Sequence, residues 1–147
     1  MIELTYRQAD LGDTDDLYRL SNENVVRINS IHPEKIIYED HVKWFQRVSS
    51  DDKYIILVIE HAGSFAGQVK FKLENSYAII SLSLDISYRG KGLGWKVISD
   101  SIDHLLKIKK RISSIIAYII NDNMASIISF KKAGFVYVDM ENVNGTT

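Results

Sequence analysis

Cysteine is absent from the 147 residues. That excludes a disulfide framework, a thiolate metal site and a cysteine nucleophile, and it fits a reducing cytoplasm. The four histidines, His32, His41, His61 and His104, are scattered, and no His-Glu-x-x-His occurs, so no metal is expected. Charge of one sign is missing too: 18 Lys and Arg against 19 Asp and Glu leave a net charge of −1. A dedicated nucleic-acid binder carries a basic excess. There is no long apolar run. "YIILVI" and "IIAYII" have strand length and fall far short of a bilayer span. The opening "MIELTYRQAD" lacks the apolar stretch of a secretory signal. With a single proline, Pro33, no proline-rich linker divides the chain, and the length suits one domain over residues 1–147. The expectation is a cytoplasmic protein without membrane or nucleic-acid partners.

What is present alternates between strand and helix patterns. "IELTYRQ" reads as a strand, and "DLGDTDD" carries helix-starting acids before a helix expected from Asp13 to Val26. Pro33 favours an extended Ile31-His32. A second helix begins near Tyr38, with Val42, Phe45 and Val48 as its apolar stripe and Trp44 beside it. "KYIILVIE", "FAGQVKFKL" and "YAIISLSLDI" form an antiparallel meander joined by short turns. A helix over residues 94–110 points Ile98, Ile102, Leu105 and Leu106 at the core. "ISSIIAYII" is the next strand, "NDNMASIISFKKAG" a short helix stopped by Gly134, and "FVYVDMENV" a last strand. The pattern predicts an α+β fold.

The informative stretch is "SYRGKGLGWK", residues 87–96. Gly90, Gly92 and Gly94 alternate with Arg89, Lys91 and Leu93 between a strand and a helix. Neither a P-loop nor a dinucleotide fingerprint has this spacing. Bare backbone, the positive end of a helix dipole and two cations together make an anion cradle; a tight turn with solvated cations is the plainer alternative.

"LSLDISYRGKGLG" resembles the strand and acetyl-coenzyme A loop of GNAT-type N-acetyltransferases. "NDNMASIISFKKAGF" resembles their second signature, in the right order. The resemblance covers roughly residues 55–140. It implies a GNAT fold: a single domain with a mixed, mostly antiparallel sheet of about six or seven strands, about four helices, and a splay between the fourth and fifth strands. It implies acetyl-coenzyme A as cosubstrate, with Leu82, Ser83 and Leu84 pairing with the pantetheine arm. Arg89, Gly90, Lys91, Gly92, Leu93 and Gly94 would bind the pyrophosphate. Asn123, Ser126, Phe130 and Lys132 would lie along the cofactor, with Asn123 and Ser126 near the thioester. Many relatives carry a tyrosine at the Phe130 position to protonate the leaving thiolate. Phe130 has no such proton, which leaves Ser126, Tyr118 and Tyr137 as donors, or unaided departure of a thiolate whose parent thiol has a pKa of only about 8.5.

On the acceptor side, "NENVVRINSIHPEKIIYEDHVKWF" resembles the subgroup acting on nucleotide-linked amino sugars in bacterial surface-glycan pathways. That implies nucleotide contacts from Arg27 and His41, an acceptor-side place for Asn29, and a phosphate contact from Lys72 or Lys70; Trp44 either stacks on a base or sugar or, as the plainer alternative, is a half-buried core residue. Asp85 is one candidate general base, His41 another, and a chain of waters a third. A homodimer is one assembly open to it. Protein N-terminal or small-amine acetylation is the alternative activity, and a non-catalytic acetyl-coenzyme A sensor the alternative outside enzymes.

Overall fold

The computed structural model describes residues 2–138. Among them the chain forms β1 (Thr5–Gln8), α1 (Thr14–Ser21), α2 (Asn24–Ile28), α3 (Tyr38–Ser49), β2 (Tyr54–His61), β3 (Ser64–Leu73) and β4 (Tyr77–Leu84), then α4 (Gly94–Ile108), β5 (Ser114–Ile116) and α5 (Met124–Lys132). The strands lie in chain order, β1-β2-β3-β4-β5. The first four pair antiparallel and β5 joins β4 in parallel. The α4 crossover between β4 and β5 supplies the length that a parallel connection needs. No helix among the described residues is long and apolar enough to cross a membrane.

Strand alternation sends side chains to two cores. Ile55, Leu57 and Ile59 of β2 join Val69, Phe71 and Leu73 of β3 and Ala78 and Ile80 of β4, facing Val97, Ile98 and Leu105 of α4 and Phe130 of α5. On the opposite face, Ile56 meets Leu17 of α1 and Phe45 and Val48 of α3. The expected stripe of α3 is therefore realised by Phe45 and Val48. The register Ile56↔Lys70, with Lys70↔Ser81, puts Lys70 on this second face as well.

The structure corrects four expectations. The expected helix 13–26 breaks into α1 and α2, because the Asn22 side chain turns aside to bridge Ile36. Its Oδ1 accepts from the Ile36 N–H at 2.7 Å and its Nδ2 donates to the Ile36 carbonyl at 2.8 Å. Leu106 is 40% exposed, and the buried face of α4 runs instead through Val97, Ile98, Ser101 and Leu105. The sheet has five strands among the described residues, not six or seven. "ISSIIAYII" pairs only over Ser114–Ile116, and Phe135–Val138 form no strand, since a strand needs a partner as well as a pattern. The remainder of "FVYVDMENV" lies outside the described residues. The α-helices among the described residues number five, one more than expected, because of the break at Asn22.

Candidate active site

Pairing decides where the sheet opens. β4 stays hydrogen-bonded to β3 as far as Leu84, opposite Gly67. Its ladder with β5 covers only Tyr77–Ile79 against Ser114–Ile116. Leu82, Ser83 and Leu84 thus lie on a strand edge that β5 does not cover, the place where an extended ligand can add as a strand. After β4 come Asp85, a 3₁₀ turn over Ile86–Tyr88, and the glycine loop.

The three glycines do two different jobs. Gly90 and Gly92 have φ of 69° and 71°, and a Cβ on either would meet nothing within 4 Å, so both are open backbone in a left-handed conformation. Gly94 opens α4 instead. A Cβ there would stand 2.4 Å from Ser129 Oγ, so this glycine permits close packing of α5. No side chain caps α4: Leu93, buried, occupies the N-cap position. The first-turn N–H groups and the dipole of a 15-residue helix therefore face the loop. Lys91 is exposed. A pocket of about 310 Å³ beside the loop is lined by Ile2, Lys91, Gly92, Leu93, Trp95 and Lys96. Lys132 reaches toward it from α5, its Nζ 4.9 Å from the centre of the Trp95 ring.

Arg89 is already engaged. Its Nε donates to the Leu84 carbonyl at 2.7 Å, and its Nη2 forms a close ion pair with Glu23. Asp85 Oδ1 accepts from Arg19 at 2.9 Å. Burial pushes the Asp85 carboxyl up, but the Arg19 hydrogen bond, the Ser87 N–H and the charges of Arg19 and Arg89 outweigh it and hold the group below the usual carboxylate range. A carboxylate so stabilised is a weak base. The partners Glu23 and Arg19 were not found from sequence, since each ion pair spans 66 residues and no local pattern marks it.

The second signature resolves into two helix-end motifs. Asn123 is the N-cap of α5: its Oδ1 accepts from the Ser126 N–H at 3.3 Å, and its Nδ2 donates to Ser126 Oγ at 3.0 Å. At the other end, the Phe135 N–H reaches the Phe130 carbonyl at 2.9 Å and the Gly134 N–H reaches Lys131 at 3.0 Å. That is a Schellman ending with Gly134 left-handed at φ 101°, sealed by the Phe130 and Phe135 rings 4.9 Å apart. Phe130, 6% exposed, is thus a core and helix-end residue. Tyr118 and Tyr137 are exposed and lie on no strand, contrary to expectation.

The acceptor-side expectations fare differently. His41 is 3% exposed, its Nε2 3.0 Å from the Thr14 carbonyl; burial pushes its pKa down, against the Thr14 carbonyl and Asp15. It ties α3 to the start of α1. Arg27 donates from Nη1 to the carbonyls of His32 and Glu34, at 2.9 and 3.2 Å, and from Nη2 to Ser30 Oγ at 3.1 Å. Asn29 caps its own helix, with Nδ2 on the Val25 carbonyl at 3.1 Å. Trp44 is half-buried between His41 and Phe45, and Lys70 Nζ stands 5.3 Å over its ring. Lys72 is exposed on β3. Lys70 has no ion pair or hydrogen bond among the described residues. Burial, then Arg27, then Lys72 push its pKa down.

A family model described as "Acetyltransferase (GNAT) domain" matches residues 3–136. The chain belongs to the GNAT acetyltransferase family. Several solved structures share the fold of this GNAT domain. Spermidine N-acetyltransferase from Vibrio cholerae, in complex with CoA and spermine, has a TM-score of 0.82 at 18% identity, over 92% of this chain and 82% of that one. The aminoglycoside acetyltransferase AAC(6')-Ib, in complex with ribostamycin and coenzyme A, has a TM-score of 0.85 at 18% identity, over 98% and 89%. RimL, a ribosomal L7/L12 alpha-N-protein acetyltransferase in complex with coenzyme A, has a TM-score of 0.81 at 21% identity, over 97% and 88%. None of the three is a nucleotide-sugar enzyme. A comparison with curated protein sequences finds no match.

Proposed function

We propose that this GNAT chain is an acetyl-coenzyme A-dependent N-acetyltransferase acting on a primary amine, with a nucleotide-linked amino sugar of a surface-glycan pathway as acceptor. The observation that carries the enzyme reading is the uncovered β4 edge, Leu82–Leu84, running straight into an open left-handed glycine loop at the head of α4. Acetyl-coenzyme A supplies, when bound, an activated acyl group that an unprotonated amine attacks directly, so no protein nucleophile is required. The β4 edge holds an amide-bearing arm in strand fashion. The Gly90–Leu93 backbone and the α4 dipole hold phosphate.

Ser126 suits the role of proton donor to the departing sulfur. Its Oγ accepts from Asn123, which leaves its own hydrogen free. It also stands one helical turn before Ser129, the α5 residue that touches Gly94. The amine's proton goes to water in this reading, since Asp85 is committed to Arg19 and His41 to Thr14.

The acceptor class rests on Lys70. Its ammonium, half-buried over Trp44 and repelled by Arg27 and Lys72, has no carboxylate partner among the described residues. An anionic acceptor satisfies such a cation, whereas a polycation is repelled by it.

Release of free thiol from acetyl-coenzyme A, measured over an amine panel, tests the reading. A nucleotide-linked amino sugar should outpace the free amino sugar, spermidine, an aminoglycoside and a peptide N-terminus. Lys70→Met should raise the KM for the nucleotide-linked acceptor about tenfold, equal to about 1.4 kcal/mol. Equal or faster turnover of spermidine or the peptide would overturn the acceptor assignment and leave the enzyme reading standing. Coenzyme A binding without turnover of any amine would favour a sensor.

A further inference from the structure

Two ion pairs join the glycine loop and the residue ahead of its turn to the last turn of α1 and the break that follows it. Arg19, in the last turn of α1, holds Asp85 at 2.9 Å, just ahead of the loop. Glu23, in extended conformation between α1 and α2 (φ −61°, ψ 142°), holds Arg89, the first residue of "RGKGLG". The two clasps are linked, since Arg19 Nη1 also lies 3.8 Å from Glu23 Oε1. Glu23 has a second duty in its backbone. Its carbonyl accepts the Arg27 N–H at 3.0 Å, closing the first turn of α2. Arg27 in turn gathers the carbonyls of His32 and Glu34. An unbroken chain of bonds therefore runs from the loop through Arg89, Glu23 and α2 to the acceptor-side segment before α3.

We infer that Glu23 is a positioning residue that couples the filling of the cofactor loop to the order of α2 and the acceptor segment behind it. The inference rests on the coenzyme A reading above. Arg89 spends its Nε on the Leu84 carbonyl and one Nη2 contact on Glu23, so the guanidinium is oriented before any ligand arrives and its remaining donors stay available to phosphate. A phosphate that immobilises Arg89 immobilises Glu23 with it. Arginine's several donors let it bridge the two anions rather than exchange one for the other. Coupling of this kind is reciprocal: order imposed at α2 by an acceptor tightens the loop on the cofactor.

Hydrogen exchange of the whole chain, with and without saturating coenzyme A, reads the coupling without an acceptor. In the unaltered protein, coenzyme A should slow exchange in peptides covering residues 24–36 by about fivefold or more, in addition to those covering 82–96. In Glu23→Gln, measured at coenzyme A concentrations that saturate that variant, slowing should persist at 82–96 and vanish at 24–36. Glu23→Asp should restore part of it. A carboxylate with a merely structural role would change exchange equally with and without ligand, so the ligand-dependent difference is the deciding readout. If Glu23→Gln does not fold, Arg89→Lys breaks the clasp from the other side, keeping the charge and losing the fork, and should lose the same slowing. Slowing at 24–36 that survives in these variants, or slowing confined to 82–96 in the unaltered protein, overturns the inference while the cofactor reading stands. Failure of the unaltered protein to bind coenzyme A overturns both.

Discussion

On one face of the sheet, β2, β3 and β4 turn Leu57, Ile59, Val69, Phe71 and Ile80 toward α4 and α5, and the result is a continuous apolar core. On the other face a small cluster of Leu17, Phe45, Val48 and Ile56 holds α1 and α3, and beyond it stand Lys70 and a Gln68 that reaches Ser21 of α1 at 3.4 Å. The first face is held by burial, the second largely by polar ties: Arg7 to Asp13, His41 to Thr14, Asn22 to Ile36, Arg27 to its loop. A face built on directional bonds can rearrange around a polar acceptor at modest cost. A close-packed core offers no such freedom, and the glycine loop is anchored to that core through Leu93 and Gly94.

The sharpest way to break this contrast is Phe130→Ala. It empties a core position on the apolar face and removes the ring contact that ends α5. Denaturant unfolding should show a loss of about 3–5 kcal/mol. Phe130→Tyr should also lower stability, by about 1–3 kcal/mol, because the added hydroxyl enters the core without a partner. A stability gain or an unchanged midpoint in Phe130→Tyr would mean that the ring borders open space.

The next effect concerns the two kinds of glycine. Gly94→Ala pushes a methyl into Ser129 and should cost about 1–3 kcal/mol, a lowered Tm that Ser129→Gly largely restores. Gly92→Ala should cost about 1–2 kcal/mol through left-handed strain alone, and Ser129→Gly should not repair it. Equal rescue of both variants would erase the distinction drawn between them.

The smallest effect belongs to the polar face. Hydrogen bonding from Arg7 holds the Asp13 carboxyl below the usual carboxylate range, against the opposing pull of burial and with help from the Asp10 N–H. A depressed carboxyl stabilises the fold above its unfolded value of about 3.9, and that stability is lost as pH falls through the folded value. Arg7 is 40% exposed, so solvent screening limits the clasp, and Asp13→Asn should cost about 1–2 kcal/mol at neutral pH. The gap between the two proteins should close as acidification passes below the folded value. A gap that stays constant with pH would show that the ionised form of Asp13 contributes nothing.

Legibility followed the range of the interaction. The α+β class, the β2–β4 meander, the glycine loop at a helix head and the stop at Gly134 all depend on neighbours within a few residues, and all could be read from spacing. Arg27, Asn29 and His41 could be placed near the right loop, but their side chains turn inward to Ser30, Val25 and Thr14. A cation or an imidazole in a sequence does not announce whether its partner is a ligand or a carbonyl.

Local chemistry thus determined the α+β pattern, the β2–β4 meander, the open glycine backbone at the head of α4, and that no cysteine chemistry is available. Tertiary packing alone decided three other things: that the β4–β5 ladder ends at Ile79 and Ile116, that Gly94 lets Ser129 pack close, and that Arg89 and Asp85 answer to Glu23 and Arg19. The reason is physical. Backbone conformation and helix ends are governed by torsions and hydrogen bonds over one turn of chain. Ladder length, close approach and ion pairing depend on which distant atoms arrive at the same place, and that is set only when the two cores have formed.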